Sequence, residues 1–485
     1  MSDEFPCFLR EQKAGVCVRS KLNLLLAVLL ILPSSVALAA HGNDVSVWLT
    51  TKDRASLLER QPKSPAFRKI RSSLPVIDVD DKKRYQQMDG FGFALTGGSA
   101  QLLMRMDAAQ RHSLLRELFG SGEDDVAISY LRISIGSSDM NDHAFTYDDV
   151  PAGQSDPSLA KFDLGPDAVT VVPVLKEIIA INPSIKILGS PWSAPAWMKT
   201  NDNLKGGELK PEDYAVYAQY FVKFIETVQA QGIRIDAVTV QNEPLNPKNT
   251  PSMVMQPEAQ AAFIAKALGP AFRDAGIKAK IILYDHNCDR PDYPLTILKD
   301  AEASAYVDGS GFHLYAGEMD ALTKVHDAFP QKNLYFTEQM TVDRKNDSNL
   351  EVAHAVERLI IAAPRNWSRN VLLWNLAADP SFGPHTDNGG CPMCEGAITL
   401  DGNAVTRNVA YYTVAQASKF VPPGSVRIDS TAPEHLSNVA FRTPNGKRAV
   451  IVANTSGDEQ KFAIGYHGKL IETSLKAGAV ATYVW

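Results

Sequence analysis

Cysteine is scarce in this chain: five in 485 residues, two of them (Cys7 and Cys17) inside a leader-like start. Basic residues are outnumbered, 49 Lys and Arg against 55 Asp and Glu, and the formal charge of −6 gives no electrostatic footprint for nucleic acid. There is no His-Glu-x-x-His run, no calcium-loop pattern and no Gly-x-Ser-x-Gly elbow. Gly90-Phe-Gly-Phe-Ala-Leu95 lacks the third glycine of a dinucleotide fingerprint and reads better as a tight strand. No metal and no organic cofactor is expected. The apolar run Leu24–Leu32 is too short to span a bilayer comfortably.

What is present begins with that run. Arg10, Lys13, Arg19 and Lys21 precede it and Ala37-Leu38-Ala39 follows, the order of a secretory leader over residues 1–40. A membrane anchor is the alternative. Cleavage predicts an exported protein, periplasmic or extracellular, with no stable membrane span. Three cysteines remain, Cys288, Cys391 and Cys394. Cys391-Pro-Met-Cys394 has no second Cys or His pair to complete a metal site, so in an exported chain a short-loop disulfide is expected. Cys288 is then a lone, buried thiol.

From Gln87 to about Ala377 short apolar segments alternate with helical stretches. The strands are predicted at residues 90–95, 130–135, 185–190, 237–241, 280–284, 311–315, 334–337 and 371–375. Helices are predicted between them, for instance over 211–229 and 257–275, where apolar residues recur at three- and four-residue steps. Eight βα units point to an α/β fold, a (β/α)8 TIM barrel over residues 85–405; a doubly wound open sheet is the alternative. After residue 405 the rhythm changes to brief strands split by Gly, Pro, Asn and Asp, at 426–428, 438–442, 449–453, 462–465, 470–473 and 479–485. That is the pattern of an antiparallel β-sandwich over 406–485. Strand-like segments at 45–50 and 76–79, within residues 41–84, are expected to join it.

The chemistry is written at two strand ends. Gln241-Asn-Glu-Pro244 closes the run Asp236–Val240, and Asn333-Leu-Tyr-Phe-Thr-Glu338 ends on a second glutamate. A retaining glycosidase needs a protonated acid and a nucleophilic carboxylate about 5–5.5 Å apart. Strands four and seven face each other across a barrel mouth, so Glu243 is read as the acid/base and Glu338 as the nucleophile. A neighbouring anion is expected to hold the Glu243 proton near neutral pH. Asn242 is placed to bond a sugar 2-hydroxyl.

These motifs resemble glycoside hydrolase family 30, best known for the glucosylceramidases (acid β-glucosidases). Ser190-Pro-Trp-Ser-Ala-Pro-Ala-Trp-Met-Lys-Thr-Asn201 is similar to the family's third-strand motif, Gly311-Phe-His-Leu-Tyr315 to its sixth, and Tyr411–Phe420 to its post-barrel helix. The resemblance implies a retaining (β/α)8 hydrolase with these two glutamates. It further implies that Trp192 lines the glucose pocket, Asp139 grips sugar hydroxyls and Arg132 supports the nucleophile. Tyr315 would orient Glu338, with His313 close by, and Trp374 would floor the pocket. Core packing is the competing reading for Trp192 and His313, a helix or loop cap for Asp139 and a structural salt bridge for Arg132.

The segment Gly383–Glu395 departs from the animal glucosylceramidase pattern and resembles the loop of microbial members, among them endo-β-1,6-glucanases. His385 and Asp387 are candidate leaving-group contacts there. The primary expectation is a retaining β-glucosidase of glucosylceramidase type acting on a β-glucoside, glycolipid or β-glucan. An endo-β-1,6-glucanase is the alternative within the family, and a non-catalytic glycan-binding protein the alternative outside it. Oligomeric state is not legible from the chain.

Overall fold

A computed structural model describes residues 44–342 and 350–485. The expected leader, with Cys7 and Cys17, lies outside the described residues. Eight parallel strands close into a barrel in the order they occur along the chain: Gly90–Leu95, Tyr130–Ser134, Lys186–Ser190, Ala237–Thr239, Lys280–Asn287, Val307–His313, Asn333–Glu338 and Ser368–Asn375. All eight expected strands are present, and the open-sheet alternative is excluded by the closing pair of the eighth strand with the first. Helices cover the outside and side chains fill the inside, so these strands read as nearly unbroken apolar runs.

The interior is layered by the two-residue period of a strand. Tyr130, Leu188, Ala237, Ile282, Tyr335 and Leu372 form a separate apolar cluster from six strands. Two residues further along, the same faces carry Arg132, Ser190, Thr239, Thr337 and Trp374. One floor is oily and the floor above it is polar. The fifth strand breaks the period: its register against the sixth shifts between Tyr284 and His286, and Tyr284 and Asp285 take φ of 73° and 67°. The shift turns Asp285, not Tyr284, toward the barrel axis.

Several boundaries differ from the sequence reading. The fourth strand stops at Thr239, because the chain bends away over Val240–Glu243 and Glu243 takes a left-handed φ of 43°. The sixth starts earlier and ends at His313, leaving Tyr315 just beyond it. The helix expected over 257–275 is interrupted: α-helix to Phe263, a π-helical turn over Ile264–Leu268, then α-helix from Gly269. Pro270 cannot donate to the preceding turn, and widening the helix absorbs the missing bond.

Strands from both sides of the barrel build one nine-stranded sheet. Its order is Lys469–Leu475, Gln460–Tyr466, Val76–Gln87, Val426–Ser430, Leu436–Arg442, Arg448–Asn454, Val480–Val484, Ser46–Thr50 and Glu59–Arg60. The strand expected at 76–79 runs on to Gln87, and it pairs parallel with Gln460–Tyr466 where antiparallel pairing was expected throughout. The sheet is bound tightly to the barrel. Val439, Phe441, Ala449, Ile451 and Val480 belong to the barrel's own apolar cluster, and the Phe91 and Phe441 rings meet at 6.3 Å. Gln416, on the post-barrel helix Val409–Ser418, bonds Thr50 and Thr482. Among the described residues no helix is long and apolar enough to cross a membrane.

Candidate active site

Strand ends deliver the side chains. Arg132 lies fully buried on the second strand and is the hub: its guanidinium donates to Glu338 Oε2 at 2.5 Å, Asp285 Oδ2 at 2.7 Å, Asn242 Oδ1 at 2.8 Å and Ser190 Oγ at 3.1 Å. Its flat face stacks over Trp192 at 4.7 Å and Trp374 at 5.7 Å. A planar cation with several donors suits such a crowded site better than a lysine would. Tyr315 donates its hydroxyl to Glu338 Oε1 at 3.0 Å, so each oxygen of that carboxylate receives a bond. Asn246 donates to Glu243 Oε2 at 2.6 Å.

The carboxyls of Glu243 and Glu338 face each other, with one oxygen of each within 4.8 Å of the other. This meets the spacing that retention requires, about 5–5.5 Å between carboxyl groups. His313 stands between them. Its Nδ1 lies 3.2 Å from Glu243 Oε1 and 3.9 Å from Glu338 Oε1, and its Nε2 lies 3.2 Å from Asp285 Oδ1. Glu243, His313 and Glu338 are close enough together to surround a cation. Their acceptor atoms are already matched by Arg132, Tyr315, Asn246 and the imidazole, so the charges are satisfied from within the protein.

The electrostatics correct one expectation. Burial alone would raise the Glu243 carboxyl, but the hydrogen bond and charge of His313, aided by His286 and Asn246, hold it down at about 2. Burial works the other way on His313, yet the Glu338 charge and the bonds to Asp285 and Glu243 push it up to about 9. The His313 charge beside Glu243 thus outweighs the neighbouring anions, and the Glu243 carboxyl is held below its ordinary value where a rise was expected. For Glu338, burial raises the carboxyl against the pull of His313 and Arg132, with the Glu243 and Asp285 anions adding to the rise. Asp285 is held far below the usual carboxylate range: Arg132 and His313, with a bond from Thr337, overcome its burial.

An open cavity of about 500 Å³ lies over the pair, lined by Asp139, Glu243, Tyr315, Glu338 and Trp374 on the side of the tryptophans. That volume suits a few sugar rings. Asp139 is buried, and its Oδ1 has no hydrogen-bond partner in the protein. Burial, then the Glu338 and Glu243 charges, push its carboxyl well up. An orphaned acceptor facing a cavity is poised for a hydroxyl from outside. The lining also includes the polar side chains of Asn246, Lys248, Asn249, His286 and Asn287, with Leu245, Pro247 and Met340 among them. A larger cavity of about 1100 Å³ opens at the N-terminal ends of the strands, but it holds no paired carboxyls of this kind, and that end of a barrel serves stability.

Nine of the eleven residues singled out from the sequence converge on this region, all but His385 and Asp387. Five of them line the cavity; Arg132, Trp192, Asn242 and His313 sit behind it. Trp192 packs on Trp374 with ring centroids 5.3 Å apart. Asn242 gives its oxygen to Arg132, which leaves its amide N–H groups for a ligand. His385 and Asp387 do not line the cavity; the backbone of Gly389 and Gly390 and the cysteines take that place. Gly389 has φ of 100°, and a Cβ there would stand 2.4 Å from the Lys248 carbonyl oxygen. Cys391 and Cys394 form the expected disulfide, and Cys288 is the free, buried thiol. Sequence reasoning missed Asp285 and Asn246. Asp285 follows directly on the predicted fifth strand, so the rule that picked the glutamates, polar residues at C-terminal strand ends, would have found it.

With this geometry in hand the likenesses to known proteins are consistent. The model of the glycosyl hydrolase family 30 TIM-barrel domain matches residues 88–421, and that of the family 30 beta sandwich domain matches 424–483. The endo-1,6-β-D-glucanase neg1 of Aspergillus fumigatus is 35% identical over 410 residues, 79% of this chain and 82% of that protein. The lysosomal acid glucosylceramidase of Mus musculus is 28% identical over 440 residues, 84% of this chain and 83% of that protein. Among solved structures, the endo-β1,6-glucanase BT3312 superposes with a TM-score of 0.84 at 34% identity, covering 91% of this chain and 99% of that one. The chain belongs to glycosyl hydrolase family 30 and is a glycoside hydrolase.

Proposed function

We propose that this enzyme is a retaining endo-β-1,6-glucanase. The observation that carries the reading is the run of polar side chains in the cleft lining, Asn246, Lys248, Asn249, His286 and Asn287, which offer hydrogen bonds to a second sugar, with Leu245, Pro247 and Met340 the apolar side chains among them. Three relatives named as endo-1,6-β-D-glucanases, at 34–36% identity, support it over the glucosylceramidase expectation, whose mouse representative stands at 28%. A glycolipid substrate is therefore the weaker reading.

In this mechanism Glu338, fixed by Arg132 and Tyr315, attacks the anomeric carbon. Glu243 passes a proton to the departing O6 of the next glucose, and then takes one from the water that frees the glycosyl-enzyme. Asp139 and Asn242 bind hydroxyls of the sugar being transferred, and Trp374 gives its ring to the apolar face. Export belongs to the same reading: a disulfide beside the sugar site suits an oxidising compartment. Hydrolysis of a linear β-1,6-glucan and of glucosylceramide, followed by product sizing, tests the proposal. Oligosaccharides released from the glucan, with at least a tenfold lower kcat/KM on the glycolipid, are expected; release of glucose alone, or preference for glucosylceramide, contradicts it.

A further inference from the structure

Three groups in the site form a line that the two-glutamate mechanism does not use: Asp285 Oδ1, the His313 ring and Glu243 Oε1, joined by two contacts of 3.2 Å. Asp285 has no freedom to turn away. Arg132, Ser190 and Thr239 bind its Oδ2 and Thr337 its Oδ1. His313 is wholly buried and among the described residues its ring has no other hydrogen-bond partner, so its tautomer is set by Asp285 on one side and Glu243 on the other.

We propose that His313, anchored by Asp285, is a positioning residue that stores the acid/base proton of Glu243. This rests on the glycosidase reading above. One proton lies between His313 Nδ1 and Glu243 Oε1, while the Nε2 proton stays bonded to Asp285 throughout. In the resting site it lies on the imidazolium and leaves Glu243 an anion. Moved from Nδ1 to the Glu243 carboxyl, it makes the acid that protonates the glycosidic oxygen as the C–O bond breaks, leaving neutral His313 and ionised Glu243. The water consumed in the second half-reaction returns a proton to Glu243 and from there to Nδ1, so the pair ends each cycle as it began.

The groups facing the ring fit this role. Glu243, Asp285 and Glu338 are the carboxylates around it, His286 and Tyr315 present rings at 6.4 and 6.2 Å, and Arg132 stands behind Asp285 and Glu338. Three carboxylates round one imidazole favour the cation, consistent with His313 being pushed up to about 9. Titration of the pair as a unit keeps the proton in the site well above the range of a lone glutamate.

The experiment is the pH dependence of kcat/KM for the full chain and His313→Gln on two substrates, a β-1,6-linked glucose oligomer and 2,4-dinitrophenyl β-glucoside. The oligomer needs the acid; the dinitrophenolate departs without one. For the oligomer the basic limb is expected to move at least one pH unit toward acid in the variant, with no matching move for the aryl glucoside. An unchanged basic limb overturns the proposal. Should His313→Gln not fold, the near-isosteric Glu243→Gln gives a second reading: the His313 titration, followed by NMR of histidine-labelled protein, falls by a unit or more if the proton is shared. An unaltered titration overturns the proposal equally. Failure of the unmodified enzyme on both glucosides would instead refute the glycosidase reading, and the NMR comparison would still decide the proton's place.

Discussion

Arg132 is the side chain whose loss disturbs most neighbours. Its guanidinium answers two buried carboxylates and an amide, and it is sandwiched against two tryptophans. Arg132→Gln leaves Asp285 and Glu338 uncompensated, and removing one partner of a buried pair costs about 3–5 kcal/mol; urea denaturation measures the drop. The same substitution has a kinetic sign. In the proposed mechanism Glu338 must be ionised to attack, and its carboxyl already sits above the ordinary range, so activity is expected to be lost as pH falls through that raised value. Taking away a cation raises it further. The acid limb of kcat/KM is therefore expected to move to higher pH in Arg132→Gln, and a limb that stays or moves to lower pH contradicts the role given to Arg132.

At the scale of elements, the loop over residues 379–397 sets the wall of the sugar cavity. It springs from a three-stranded sheet formed by Ala377–Ala378, Ile398–Asp401 and Ala404–Arg407. Thr386 ties it to Asp139 through the backbone and to the Thr250 carbonyl through its hydroxyl, and Lys205 holds Asn388 at 2.8 Å. Cys394 packs with Trp192 and Trp374, and its sulfur lies 3.7 Å from that of Met340, whose backbone N–H donates to the Tyr315 hydroxyl. The wall and the nucleophile's tyrosine are thus mechanically joined. A Cβ at Gly390 would lie 2.4 Å from the Thr386 carbonyl oxygen and 3.0 Å from that of Asp139. Gly390→Ala is expected to displace Asp139 and lower kcat/KM about 10- to 100-fold, since small misplacements in an active site cost that much. Steady-state kinetics beside a thermal melt checks that activity falls more than stability.

The elements also show what a sequence can carry. Period-two and period-3.6 patterns located all eight barrel strands, because each is buried on both faces and has to be apolar. The glutamates were legible because strand ends at one rim of a barrel converge. The fifth-strand shift that turns Asp285 inward was not, since it depends on left-handed backbone at Tyr284 and Asp285, residue types that do not announce it. Nor was the downward shift of the Glu243 carboxyl: its anionic neighbours and His313 come from strands far apart in the chain, and only their spacing decides between them. His385 and Asp387 misled because a loop's polar side chains were weighed and its glycine backbone was not.

Among the described residues the barrel's apolar core extends into the sheet, which also carries a separate cluster that includes Ile77, Val450, Val452 and Phe462. Phe441, Ile451 and Val480 bury against barrel residues, and Arg365 bonds Asn438 and Ser430 across the junction. A chain ending at residue 421 would expose that surface and is expected to aggregate or to melt without cooperativity; a monomeric, soluble fragment with a sharp transition would show that the two parts are separable. The ring of strands is complete before residue 380, but the strand Val76–Gln87 lies between Gln460–Tyr466 and Val426–Ser430, and Ser46–Thr50 pairs with Val480–Val484. Early segments must therefore wait for partners made about 340 to 440 residues later. Contacts of such sequence separation slow folding. Completion of the sheet is consequently late: until Val480–Val484 has been made, Ser46–Thr50 lacks one of its two neighbouring strands and that edge stays unpaired.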